Sequence, residues 1–205
     1  IGLDKHIPWG VGLGGGSSDA AAALVALNKL WGLNLSAAEL VEVGSQLGSD
    51  IPFFIYGGTA LVAGRGEVVT PLPSFPTGIF ILLVPPLTKI PGKTRQLYDR
   101  LTAECYSNGQ IVREALAYCL QGRDIPHHLM HNAFEPVVFN VFPELRKYGD
   151  FMDQIGAEWV HLVGSGPALF TVTKSKKEAE KLLLDVKARG LESYLASSFS
   201  GDMKQ

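Results

Sequence analysis

Apolar residues recur at helical spacing through the first third of the chain. Leu24, Leu27, Leu30 and Trp31 share one face of a helix predicted over residues 17–31, and Gly32 supplies its stop. Ser36-Ala37-Ala38-Glu39 has the capping-box pattern, so a second helix is predicted from there to about Leu47. Gly48-Ser49-Asp50-Ile51-Pro52 reads as a turn, and residues 53–63 read as a strand with an irregularity at Tyr56-Gly57-Gly58. Gly64-Arg65-Gly66 is a hairpin turn and residues 67–70 its return strand. Residues 1–7 read as the tail of a strand ended by Pro8.

Pro71-Leu72-Pro73-Ser74-Phe75-Pro76 denies both helix and ladder and sets a domain boundary, with residues 1–74 before it and 75–205 after it. The unbroken apolar run within residues 78–84 is a buried strand ended by Pro85 and Pro86. Helices are predicted over residues 93–102, 107–120, 132–140 and 143–155. Strands follow at 158–162 and 168–173, then a helix opened by Ser175-Lys176-Lys177-Glu178 and running to Ala188, and a closing strand at 194–198. Strands alternating with helices after the proline-rich stretch indicate an α+β sandwich, a sheet with helices on one face.

Composition narrows the class. Across 205 residues, 46% are hydrophobic and 19% charged, a balance that predicts a packed core rather than disorder. The formal net charge of -2 argues against nonspecific binding to nucleic acid or to an anionic membrane. No apolar run approaches the roughly 20 residues of a membrane span. Ile1-Gly2-Leu3-Asp4-Lys5 has neither the basic nor the apolar region of a signal peptide. Cys105 and Cys119 are expected as free thiols in a reducing compartment.

The candidate chemistry centres on Gly10-Val11-Gly12-Leu13-Gly14-Gly15-Gly16-Ser17-Ser18-Asp19. Glycines at positive φ can turn several N–H groups toward one point, and the helix that follows begins with unpartnered N–H groups and a partial positive charge. That combination predicts an anion cradle that needs no lysine. Ser17 and Ser18 stand where a hydroxyl can cap the helix, touch a phosphate oxygen or reach a magnesium ion. Gly10, Gly12 and Gly15 formally match G-x-G-x-x-G, but residues 20–38 contain no acid to hold a ribose, which removes the Rossmann reading. No Gly-Lys-Ser/Thr follows, which removes the Walker reading. Asp50 is a candidate to accept or orient a substrate hydroxyl proton, with a turn or capping aspartate as the alternative, and Asp19 has the alternative of complementing the helix dipole. Gly164-Ser165-Gly166-Pro167 is either a plain hairpin or a second small-residue loop. His127 and His131 have the spacing of two metal ligands on a helix. No third acidic or cysteine ligand lies close in sequence except Glu135, so surface or core histidines are expected instead.

Pro8 together with Gly12-Leu13-Gly14-Gly15-Gly16-Ser17-Ser18-Asp19-Ala20-Ala21 resembles the phosphate-binding signature of the GHMP kinase superfamily. Residues 48–54, Gly57-Gly58-Thr59-Ala60 and Gly64-Arg65-Gly66-Glu67 are similar to the branch that acts on diphosphocytidyl methylerythritol in the non-mevalonate isoprenoid pathway. Gly164-Ser165-Gly166-Pro167 is similar to the superfamily's third motif.

The resemblance implies an S5-like N-terminal domain, a ferredoxin-like C-terminal domain and an active site in the cleft between them. It implies ATP-dependent phosphorylation of the 2-hydroxyl of that small-molecule substrate, with Mg²⁺. Asp50 would activate the hydroxyl. Pro8, Gly10, Gly12, Leu13, Gly14, Gly15, Gly16, Ser17 and Ser18 would hold ATP, with Lys5 near the nucleotide. Thr94 and Tyr98 would line the cytidine pocket, and Gly164, Ser165 and Gly166 would meet substrate. The Mg²⁺ ligand is not identified by the sequence, Ser17 and Ser18 being candidates for it. No nucleic-acid or membrane partner is implied, and the expected setting is bacterial cytoplasm or plastid stroma.

Two departures accompany the resemblance. The superfamily's first motif, with its catalytic lysine, following asparagine and Tyr-His pair, is absent from these residues. The sequence is therefore expected to be a fragment with little or no kinase activity by itself. Val11 stands where the family usually has a smaller residue. Another GHMP small-molecule kinase and an inactive nucleotide-binding remnant are the alternative readings.

Overall fold

The computed structural model describes residues 1–74 and 78–198. Among them the chain divides into two compact units, residues 14–74 with 119–123 in one and residues 1–13, 78–118 and 124–198 in the other. The boundary expected between residues 74 and 75 adjoins residues 75–77, which lie outside the described residues.

The smaller unit is built on three helices, α1 (Gly15–Leu30), α2 (Ala37–Leu47) and α3 (Ile51–Tyr56), and one hairpin, β1 (Thr59–Ala63) with β2 (Val68–Leu72). Ala21, Leu40, Ile51 and Ile55 form its buried core, with Leu24, Leu35, Val41 and Phe54 packed against them. Ser36 caps α2 as expected: its hydroxyl accepts the Glu39 N–H at 3.3 Å, and Glu39 Oε2 accepts the Ser36 N–H at 2.7 Å. Before that cap, Asn28 fastens the end of α1 to the connection by exchanging two 3.0 Å hydrogen bonds with the Leu35 backbone.

Two expectations fail in this unit. Residues 51–56 are a helix, where the end of a turn (51–52) and the start of a strand (53–56) were expected. Pro52 fits a first helical turn, where no N–H is needed, and Ile51, Pro52 and Ile55 are buried together. The apolar run therefore reflects a short buried helix, which periodicity cannot separate from a strand. The return strand also runs on to Leu72, with Pro71 opposite Ala60. Among the described residues the sheet has two strands, so Pro71 removes no bond from an inner ladder. The turn between them is held by the Glu67 carboxylate, which accepts the Arg65 N–H at 2.6 Å. Backbone N–H groups of Glu67 and then Arg65 keep that carboxyl below its ordinary pKa.

The larger unit contains an antiparallel sheet of β3 (Ile79–Val84), β4 (His161–Leu162), β5 (Leu169–Thr173) and β6 (Glu192–Ser197), in the order β4-β5-β3-β6. Its helices are α4 (Lys93–Tyr98), α5 (Gln110–Leu120, whose last two residues group with the smaller unit), α6 (Glu135–Val141), α7 (Leu145–Gln154) and α8 (Lys176–Ala188). Ile81 and Leu83 on β3 are fully buried with Leu145 and Met152 of α7 and Leu182 and Val186 of α8. Phe80 and Phe170 pair with ring centroids 6.1 Å apart.

The chain before the glycine-rich segment differs from expectation. Residues 1–7 have no regular structure and are exposed, because none of the described strands pairs with them. β4 is two residues long rather than five, since only His161 and Leu162 find partners, in Phe170 and Leu169. The capping box expected at Ser175 forms by half. Ser175 accepts the Glu178 N–H at 3.2 Å, but the Glu178 carboxylate accepts the Thr173 hydroxyl at 2.6 Å instead of turning back to Ser175. Cys105 and Cys119 are both free and buried.

Candidate functional site

Within the smaller unit, the glycine-rich segment becomes α1 at Gly15, two residues before the expected start. Gly14 is the N-cap, at φ 66 and ψ 12, a left-handed conformation that glycine adopts without steric cost. A Cβ there would also lie 2.7 Å from the Phe54 ring. Neither Ser17 nor Ser18 caps the helix: among the described residues no side chain does, and the first turn holds no acid. Ser18 Oγ instead donates to the Gly15 carbonyl at 2.9 Å. The first N–H groups of α1 thus face no protein acceptor side chain, at the positive end of a helix sixteen residues long. Gly16 is exposed, its φ is not positive, and a Cβ would meet nothing within 4 Å. Packing within the unit therefore does not require its smallness, whereas an anion seated on the helix start would. These features fit the phosphates of a nucleotide, and the two serine hydroxyls fit a hard cation beside them.

Asp50 stands at the N-cap of α3 in the same unit. It is exposed, its backbone is right-handed helical (φ −88, ψ −14), and its side chain makes no capping bond among the described residues. Two close approaches hold its backbone. A Cβ on Gly44 of α2 would lie 2.9 Å from Ile51, so α2 lets α3 in directly after Asp50. Gly66, at φ 126, brings the hairpin turn onto the residue before it, where a Cβ would lie 2.2 Å from the Ser49 carbonyl. Both neighbours of Asp50 are thereby fixed while its carboxylate stays open to solvent.

In the larger unit, the earlier half of the glycine-rich segment packs on the loop between β4 and β5. Gly12 (φ 96) sits so close that a Cβ would lie 2.1 Å from the Val163 carbonyl and 3.0 Å from Gly166 N. From the other side, a Cβ on Gly164 (φ 52) would lie 3.1 Å from the Gly12 carbonyl. Ala168 N donates to the Val11 carbonyl at 3.1 Å, and the loop closes on itself by Gly166 N to Val163 O at 2.7 Å. Val11 buries its side chain with Val84 and Ala168, and Leu13 and Val163 pack beside it, so the bulk at position 11 has a pocket of its own.

Three polar side chains brace the same loop. Asn132 Nδ2 donates to the carbonyls of Leu162 at 3.1 Å and Gly164 at 2.8 Å. Lys93 Nζ donates to the Gly10 carbonyl at 3.3 Å and to the Gly166 carbonyl. The Thr94 and Ser165 hydroxyls share a hydrogen bond at 3.2 Å. Tyr98 is exposed and meets the Phe134 ring edge-on at 5.0 Å. Pro8 and Trp9 line a cavity of about 700 Å³ together with Lys89, Lys93 and Thr94. Lys89 Nζ lies 5.1 Å over the Trp9 ring. Lys5 is exposed in the irregular chain before them.

Of the candidate residues, the structure groups Gly10, Gly12, Gly164, Ser165, Gly166 and Thr94 in the larger unit, and Gly14, Gly15, Gly16, Ser17, Ser18 and Asp50 in the smaller. Lys93 and Asn132 lie in no sequence pattern: tertiary burial marks the first, and hydrogen bonds to two loop carbonyls mark the second. His127 is stacked between Trp159 and His161, at 5.3 and 6.0 Å, and His131 Nε2 contacts the Cys105 carbonyl at 3.2 Å. No cluster of three or more metal-ligating side chains occurs among the described residues.

Comparison with known proteins shows the family and the fold. The family described as GHMP kinases N terminal domain matches residues 1–58, and GHMP kinases C terminal matches residues 113–191. A 4-diphosphocytidyl-2-C-methyl-D-erythritol kinase of Dehalococcoides mccartyi is 46% identical over 196 residues, 96% of this chain and 69% of the relative. The enzyme of the same name from Geobacillus kaustophilus is 39% identical over 89% of this chain and 62% of its own. A crystal structure of 4-(cytidine 5'-diphospho)-2C-methyl-D-erythritol kinase superposes with a TM-score of 0.79 at 31% identity, covering 97% of this chain and 70% of that one. A homoserine kinase from Cytophaga hutchinsonii shares the fold at 21% identity and a TM-score of 0.70. The chain belongs to the GHMP kinases, within the 4-diphosphocytidyl-2-C-methyl-D-erythritol kinase family.

Proposed function

We propose that the protein transfers the γ-phosphoryl group of ATP to the 2-hydroxyl of 4-diphosphocytidyl-2-C-methyl-D-erythritol, releasing ADP, in the non-mevalonate route to isoprenoids. The observation that carries the reading is the uncapped, acid-free start of α1, preceded by Gly14 in a left-handed conformation and opening at Gly16 onto free space. The choice of acceptor alcohol rests on the 46% identity to a kinase of that name.

In this reading Pro8, Gly10 and residues 12–18 hold ATP, the N–H groups at the start of α1 meeting its phosphates. Lys5 lies on the nucleotide side. Ser17 or Ser18 holds Mg²⁺, whose contribution when bound is to neutralise charge on the phosphates. Asp50 accepts or orients the proton of the attacking hydroxyl, and its exposed carboxylate on a braced backbone suits that task. Thr94 and Tyr98 contact the cytidine end, the tyrosine by stacking, with Gly164, Ser165 and Gly166 beside the substrate. Residues 1–74 form the N-terminal portion of the kinase and residues 75–205 the C-terminal portion. Phosphoryl transfer passes through a loose transition state, so placing the two reactants in line supplies most of the acceleration.

The test is a transfer assay on the product of the complete coding sequence that contains these residues. ATP is paired with the diphosphocytidyl substrate, mevalonate, homoserine or galactose. Phosphorylation confined to the diphosphocytidyl substrate supports the reading. Preference for another alcohol assigns the protein to a different GHMP reaction, and ATP binding without transfer to any of them leaves a nucleotide-binding protein.

A further inference from the structure

Lys93 is a buried lysine to which the reaction above gives no role. The residue is 8% exposed, and among the described residues no carboxylate pairs with it. Its ammonium donates instead to two backbone carbonyls, those of Gly10 and Gly166. These belong to segments more than 150 residues apart in sequence, the start of the glycine-rich segment and the loop between β4 and β5. Other links between the segments are uncharged: the backbone hydrogen bond from Ala168 N to Val11 O, the burial of Val11 with Ala168, and the steric fit of Gly12 against Val163. Lys93 alone among them joins the two with a charge.

Desolvating an ammonium is costly, and two neutral carbonyls compensate it poorly. Burial pushes the Lys93 pKa down to about 8. A methionine of similar length would fill the site without that cost. A residue that weakens the fold at a junction of two functional loops is the kind of local inconsistency that marks a functional constraint. The charged groups that face the adjoining cavity are Lys89, Arg95 and Glu192.

We propose that Lys93 is a positioning residue, an ammonium clamp that fixes the Gly10–Gly12 backbone against the 163–167 loop and so sets the glycine-rich segment for nucleotide phosphates. Its functional half rests on the nucleotide-binding reading. The clamp itself does not.

Protein carrying ¹³C-lysine and ¹⁵N-glycine is titrated by NMR, with ATP affinity measured at each pH. The Lys93 Cε signal is expected to titrate near pH 8, and the amides of Gly10, Gly12, Gly164 and Gly166 to move with the same midpoint, while Gly44 stays still. ATP affinity should fall about tenfold across that midpoint. Lys93→Met should bind ATP weakly and without that pH step. The wild-type titration stands even if the variant fails to fold. Glycine amides indifferent to the Lys93 titration overturn the clamp, and ATP affinity indifferent to it overturns the positioning role. Coupled amides with no ATP binding at any pH sustain the clamp and overturn the nucleotide-binding reading.

Discussion

Lys93 has a thermodynamic signature separate from any activity. The unfolded chain holds its proton to about the ordinary value of 10.5, whereas the folded chain releases it at about 8. Between those values the unfolded state binds more protons, so raising the pH favours the fold. The stability of the wild type relative to Lys93→Met is therefore predicted to be constant below pH 8 and to rise towards pH 10.5, by at most about 3 kcal/mol. Urea unfolding of both proteins across that range measures it, and a difference that falls with pH contradicts the burial. Gly12 makes the opposite case, a residue whose smallness is legible in the sequence. Gly12→Ala places a Cβ 2.1 Å from the Val163 carbonyl at φ 96, so it should destabilise by roughly 2 kcal/mol or more. Wild-type stability in urea would show that the loops separate freely. Glycines such as Gly12 and Gly164 announce themselves because few other residues tolerate their backbone. Lys93 and Asn132 do not, because a polar residue becomes informative only when the fold buries it or aims it at a carbonyl.

Among the elements, local chemistry was read well where it is self-contained. The Ser36 cap, the Gly64–Gly66 turn and the apolar β3 strand each depend on residues close in sequence, and each forms as expected. Ser36→Ala removes the acceptor for Glu39 N and the partner of its carboxylate, and should cost about 1 kcal/mol in urea unfolding. No change would mean that tertiary packing alone holds α2. Misreadings fall where tertiary partners decide. Residues 51–56 carry the apolar density of a strand, but Gly44 opens a slot on α2 that receives Ile51 and Ile55 on one helical face. The serines after the triple glycine look like caps, yet Gly14 begins the helix earlier and leaves its N–H groups uncapped by any side chain among the described residues. Those two corrections matter most to the candidate chemistry. The first puts Asp50 at a helix start, and the second frees the donors of α1 for a ligand.

At the scale of the whole molecule, the family was legible because its marks are distributed along the chain, from Pro8 to Pro167. Folding and binding are then linked: ATP at one hundred times its dissociation constant should stabilise the protein by about 2.7 kcal/mol, seen as a raised Tm in a thermal melt. An unmoved Tm would remove the nucleotide from the account. The most direct test of the central claim is the kcat for phosphoryl transfer from ATP to 4-diphosphocytidyl-2-C-methyl-D-erythritol, compared between the product of the complete coding sequence and its Asp50→Asn variant. The account predicts turnover on this acceptor and a loss of at least about 10²-fold in the variant, with ATP affinity retained. Near-normal kcat in the variant would contradict the role of Asp50, and no transfer by the unsubstituted protein would contradict the kinase itself.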